Sequence, residues 1–62
     1  MSFEETLTKM QKHGQSVMLT WGEDTEAWEC SWITGGKRYT AFDRYPAMAA
    51  IKAERAGREG KP

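Results

Sequence analysis

Residues 27–42, AWECSWITGGKRYTAF, read as two β-strands folded back on a Gly35-Gly36 turn. Trp28, Cys30 and Trp32 alternate with Glu29, Ser31 and Ile33, and beyond the turn Tyr39 and Ala41 alternate with Arg38, Thr40 and Phe42. A period of two sends successive side chains to opposite faces of a strand. Two glycines between such runs suit a type I′ turn, which needs positive φ at both central positions. That turn sets a register. Thr34, Trp32 and Cys30 lie opposite Lys37, Tyr39 and Ala41 on one face. Ile33, Ser31 and Glu29 lie opposite Arg38, Thr40 and Phe42 on the other.

Working upstream, residues 15–21 form a further strand, with Val17, Leu19 and Trp21 alternating with Ser16, Met18 and Thr20. The acidic stretch GEDTE, residues 22–26, links it to the next strand. An even-numbered loop places Val17, Leu19 and Trp21 on the face of Trp28, Cys30 and Trp32. The expected core face is therefore Val17, Leu19, Trp21, Trp28, Cys30, Trp32, Tyr39 and Ala41. A one-residue slip in either hairpin would turn one strand's apolar set to water, so the register is strongly specified.

Helices flank the strands. Residues 2–13 begin with Ser2-Phe3-Glu4-Glu5, a capping box with Ser2 at N-cap and Glu5 at N3. Glu4 and Glu5 suit the positive end of the helix dipole, and Lys12 and His13 the negative end. Phe3, Leu7 and Met10 fall on one face, and Gly14 is expected just past the end. At the other end of the chain, Asp43 is the expected N-cap of a second helix, with Pro46 in its first turn. The body AMAAIKAERA is rich in helix formers. One stripe holds Ala47, Met48 and Ile51, another Ala49, Ala53 and Ala56, and Gly57 is expected to close the helix. The predicted fold is α+β in the order α-β-β-β-α. It is a two-layer sandwich with both helices on the aromatic face of an antiparallel meander. One domain spans residues 1–57, and residues 58–62 read as a flexible tail.

A chain of 62 residues buries only about 60% of its unfolded surface and is marginal alone. A single cysteine excludes an internal disulfide, and Cys30 and His13 are too few soft ligands for a zinc site, so no metal is expected. The lone cysteine fits a reducing compartment. No apolar run approaches the roughly 18 residues of a membrane span, and the acidic, amphipathic start is unlike a signal peptide. A cytoplasmic location is the expectation.

The net charge is zero but segregated. Residues 1–36 carry Lys9 and Lys12 against Glu4, Glu5, Glu23, Asp24, Glu26 and Glu29, a net −4. Residues 37–62 carry Lys37, Arg38, Arg44, Lys52, Arg55, Arg58 and Lys61 against Asp43, Glu54 and Glu59, a net +4. Such asymmetry directs attention to an electrostatic partner.

The second face of the sheet holds Met18, Ile33 and Phe42 among Ser16, Thr20, Glu29, Ser31, Arg38 and Thr40. A solvated sheet face is normally polar, whereas apolar groups rimmed by charge mark a protein-binding surface. Met18, Ile33, Arg38 and Phe42 are the candidate partner-binding residues, with a second copy of the chain as a possible partner. The alternative is a phosphate-backbone site on Lys37, Arg38, Arg44, Lys52 and Arg55, against which a solvated, charge-balanced surface is the plainer reading. The acidic loop lacks the spacing of a calcium site and reads as a soluble turn. His13 reads as a helix-end residue and Cys30 as a small core hydrophobe. No nucleophile–base set, phosphate loop or ligand cluster can be assembled, so neither enzyme activity nor a cofactor is expected.

The element order resembles that of the double-stranded-RNA-binding domain, whose second helix begins with a basic cluster. Here that helix begins Asp43-Arg44-Tyr45-Pro46, and no residue carries across. Small ribonuclease toxins of similar order need a histidine on the sheet, which this chain does not place there. In size, charge segregation and lack of a catalytic set the chain resembles accessory proteins of phages and prophages. Anti-CRISPR inhibitors are among these, and the resemblance implies a small inhibitor that binds a protein.

Overall fold

The Gly35-Gly36 turn forms as the sequence demands, with φ of 61° and 78° at its two glycines. A computed structural model describes residues 3–60. Its elements are α1 (Phe3–His13), β1 (Gln15–Gly22), β2 (Ala27–Thr34), β3 (Lys37–Asp43) and α2 (Pro46–Glu59). The three strands make one antiparallel sheet in the order β1-β2-β3. The fold is α+β, helix–three strands–helix. Every β2–β3 pair follows from the turn: Thr34 faces Lys37, Trp32 faces Tyr39, Cys30 faces Ala41, Ile33 faces Arg38, Ser31 faces Thr40 and Glu29 faces Phe42.

The β1–β2 hairpin keeps the expected phase at its closed end, with Leu19 opposite Cys30 and Trp21 opposite Trp28. It departs at its open end. Gln15 pairs with Ile33 and Met18 with Ser31, so Ser16 and Val17 together oppose Trp32. This is a β-bulge. Ser16 takes the left-handed conformation there, with φ of 54°.

The core consists of Met10, Cys30, Trp32, Tyr39, Ala49, Ala50 and Ala53, with Phe3, Leu7, Val17, Leu19, Trp28, Ala41 and Ala56 packed against it. Both helices contribute, and they contact one another above the sheet. Trp21 departs from the expected core, being 44% exposed. It sits one pair from the end of the hairpin, so one flank meets solvent. Its ring packs edge-on against Trp28, with centroids 5.5 Å apart and planes at 61°.

The end of α1 at His13 is as expected, while both boundaries of α2 differ. The Ser2 cap lies outside the described residues. Gly14 does not take the left-handed conformation of a helix terminator. A Cβ there would lie 2.5 Å from the Ile33 carbonyl oxygen and 2.8 Å from Trp32 Cε3, so close approach requires the glycine. The Thr34 hydroxyl, rather than His13, satisfies the His13 carbonyl, donating to it at 2.7 Å.

Asp43 is not the N-cap of α2, because it is still paired with Trp28 at the end of β3. Tyr45 holds the cap position without a side-chain bond, and Pro46 opens the helix. The Asp43 carboxylate instead accepts the Tyr45 N–H at 3.0 Å and pairs with Lys52 Nζ at 2.8 Å. That is an Asx turn pinned to the second turn of the helix. At its far end α2 passes through Gly57 and stops at Glu59, with Gly60 as the left-handed cap at φ 71°. Arg58 and Glu59, expected in a tail, are thus helical.

The small-residue side of α2 faces the sheet. Ala49, Ala50 and Ala53 are fully buried, Ala47 and Ile51 are half-buried, and Met48 is exposed. The sheet supplies the volume through Trp32 and Tyr39, so the helix must be thin where it lands. The indole N–H of Trp32 donates to the Ala53 carbonyl at 2.8 Å and locks this contact.

Candidate contact surface

The helices occupy one face of the sheet, and the opposite face carries the side chains of alternate residues. Their cross-strand rows follow from the register. Thr20, Glu29 and Phe42 form a row at the end nearest the acidic loop, Met18, Ser31 and Thr40 the middle row, and Gln15, Ile33 and Arg38 the row nearest the glycine turn. Met18 is 54% exposed and Phe42 53%, while Ile33 is half-buried. Ser31 is buried although no helix covers it. It lies at the centre of the three strands, where Met18 and Thr40 flank it directly and Ile33 and Phe42 flank it along the strand and diagonally. Diagonal neighbours on a sheet are within about 7–8 Å, so large side chains can lean over a small one. Ser31 is thereby shielded to 7% exposure, with Met18 and Phe42 as the large apolar groups on the outer strands.

Charge on this face is polar end to end. Glu29 stands in the row beside the loop that bears Glu23, Asp24 and Glu26, while Arg38 stands in the row beside Lys37 and the glycine turn. Met18, Ile33, Arg38 and Phe42 therefore share one face, as expected from their phase in the strands. Of the alternative basic group, Lys37 and Arg38 stand at the start of β3 and Arg44 just past its other end. Lys52 is engaged with Asp43.

The Lys52 ammonium and the Tyr45 and Arg44 backbone N–H groups hold the Asp43 carboxyl below its ordinary 3.8. Burial pushes the Cys30 thiol up from 9.0 to about 11, which suits a packed core residue. His13 lies exposed at the end of α1.

Other surface features were not anticipated from sequence. A groove of about 300 Å³ runs between α1 and α2 over Trp32, lined by Lys9, His13, Thr34, Glu54, Gly57 and Arg58. Such a volume is at the lower bound for ligand pockets, roughly 300–1,000 Å³. Its only buried charge, Glu54, is 3.6 Å from Arg58 Nε, one helical turn on. Trp21, Tyr45 and Met48 are exposed apolar groups outside the sheet's open face. The signal for Met48 was available: if Ala49 and Ala53 face the sheet, a residue one step back on the helix turns away. Among the described residues, no three His, Cys, Asp or Glu side chains converge as a metal site. No helix among them is long and apolar enough to cross a membrane. Compared with protein families, with curated proteins and with solved structures, the chain matches none of them.

Proposed function

We propose that the protein acts by binding another protein through the open face of its sheet, using Met18, Ile33, Arg38 and Phe42. The observation that carries this reading is the pair Met18 and Phe42, each half-exposed on a face that no helix covers. Fully burying a side chain of that size is worth roughly 1.5–3 kcal/mol, so covering the exposed half of both adds about 2 kcal/mol. Arg38 at the rim supplies direction and selectivity. The role is non-enzymatic, that of a small accessory protein of the cytoplasm whose open sheet face is its contact surface.

A photo-reactive benzoylphenylalanine placed at Phe42 in the producing cell tests the proposal, with the same group at Gln11 on the exposed side of α1 as control. The expected result is one discrete adduct from position 42, identified by mass and suppressed by Met18→Glu. No adduct at 42, or the same adducts from position 11, would overturn it.

A further inference from the structure

We infer that the occupant of this face is a second copy of the same chain, stacked sheet on sheet about a two-fold axis that crosses the strands. This rests on the contact-face reading above and names its partner. The open face is an electrical dipole, acidic at Glu29 beside the acidic loop and basic at Arg38 beside the glycine turn. In an isologous dimer each patch meets itself under rotation. An axis parallel to the strands would set Glu29 over Glu29 of the second copy. An axis across them reverses the ends, so the acidic end of each copy covers the basic end of the other.

That second arrangement also solves the apolar contacts. Strand β3 lies over β3 of the second copy in the opposite direction, which brings Phe42 over Arg38 of the second copy, twice by symmetry. A guanidinium over an aromatic face is a favourable cation–π pair. Met18 and Ser31 belong to the middle row and lie on the axis. Met18 therefore meets Met18 of the second copy, and the small Ser31 lets the sheets close. Packed sheets stand about 10 Å apart and cross at about 30°, which these side chains can span.

Edge-to-edge pairing is the competing geometry for a second copy. On β1 it is hindered by the bulge at Ser16 and Val17, which breaks the ladder at the open end. The face itself is small. Three strands about 4.8 Å apart and seven residues of about 3.3 Å make a patch of roughly 14 by 23 Å. This is below the roughly 800 Å² that each partner buries in a standard interface, so the dimer is weak, with a dissociation constant on the order of 10–100 μM.

Sedimentation equilibrium from about 10 μM to about 1 mM covers that range. The wild type is expected to pass from monomer to dimer across it. In this stacking Glu29 lies over Ile33 of the second copy and diagonal to its Arg38, so Glu29→Arg and Arg38→Glu should each weaken association by about tenfold by placing like charges on that diagonal. The double variant reverses the dipole and should regain affinity relative to either single change. Phe42→Lys, which sets a cation over Arg38 of the second copy at both symmetric contacts, should remain monomeric throughout, with circular dichroism showing the fold unchanged. A monomer at every concentration would overturn the inference, as would single charge reversals without effect or a double variant weaker than both. The adduct from position 42 separates this failure from that of the broader reading. An adduct of twice the chain's mass supports the dimer. One containing only a different protein overturns the dimer but leaves the contact face standing. No adduct overturns both.

Discussion

Replacing Gly57 by alanine sets two large effects against each other, and the structure decides the sign. Gly57 lies inside α2, where alanine is favoured over glycine by about 1 kcal/mol. Its position over the sheet argues the other way. An added Cβ would lie 2.3 Å from Cζ2 and 2.7 Å from Cε2 of Trp32, and 2.9 Å from Cγ2 of Thr34. Carbon atoms in contact prefer about 3.5–4.0 Å, so more than 1 Å must be opened. Trp32 cannot retreat. It is only 3% exposed, its N–H is tied to the Ala53 carbonyl, and Gly14 presses on Cε3 and Cζ3, the opposite edge of the same six-membered ring. Overpacking of this kind costs typically 1–3 kcal/mol, and a stretched indole hydrogen bond adds up to about 1 kcal/mol. These terms leave about 0–3 kcal/mol after the propensity gain, and a gap of more than 1 Å that Trp32 cannot open puts Gly57→Ala in the upper half, about 1.5–3 kcal/mol destabilising, which for a domain this small lowers Tm by roughly 6–24 °C. Thermal and urea unfolding followed by far-ultraviolet circular dichroism measure this directly. A variant as stable as the wild type, or more stable, would refute the account of an indole clamped between two glycines.

Two further outcomes concern ionisable groups. The Cys30 thiol is raised from 9.0 to about 11, so the folded state holds its proton where the unfolded chain releases it. Its contribution is complete below pH 9 and is lost as pH rises towards about 11, so wild-type stability should fall more steeply there than that of Cys30→Ala. The folded thiol should also resist disulfide reagents at neutral pH and react only as fast as the chain opens. Asp43 shifts the other way. Its carboxyl is lowered below 3.8, so its contribution is present above that pH and lost as pH falls through the lower folded value. Asp43→Asn should therefore be less stable than the wild type at neutral pH, and the gap should close in acid, as read from urea midpoints across the acid range.

What could be read from sequence was what local covalent geometry dictates. Two glycines with positive φ force one β2–β3 register, which assigns Ile33, Phe42 and Arg38 to one face, and the even-numbered loop between β1 and β2 adds Met18 to it. The errors arose where tertiary placement outweighs local preference. Trp21 has the phase of a core residue, but a strand's phase does not say how far along it the helices reach. Asp43 has the chemistry of an N-cap, but pairing with Trp28 holds it in β3, and its carboxylate serves the turn instead. Gly14 and Gly57 look like helix terminators, yet both are small because Trp32 lies against them. The bulge at Ser16 and Val17 left no pattern, because it adds a residue without disturbing the alternation of Val17, Leu19 and Trp21. Burial of Glu54 was equally silent, since its partner Arg58 is an ordinary neighbour one turn along a helix.

The methionine methyl groups offer the most direct test of the claim that the sheet has one closed and one open face, the open one covered by a second copy. Met10 is fully buried, Met48 is 42% exposed on α2 and Met18 is 54% exposed on the open face. With carbon-13 methionine and a soluble gadolinium chelate, methyl relaxation should stay slow for Met10 and fast for Met48 at every protein concentration. Met18 should relax as fast as Met48 in dilute solution and become shielded as the protein is concentrated. A Met18 methyl shielded like Met10 even when dilute, or exposed like Met48 even when concentrated, would contradict the account.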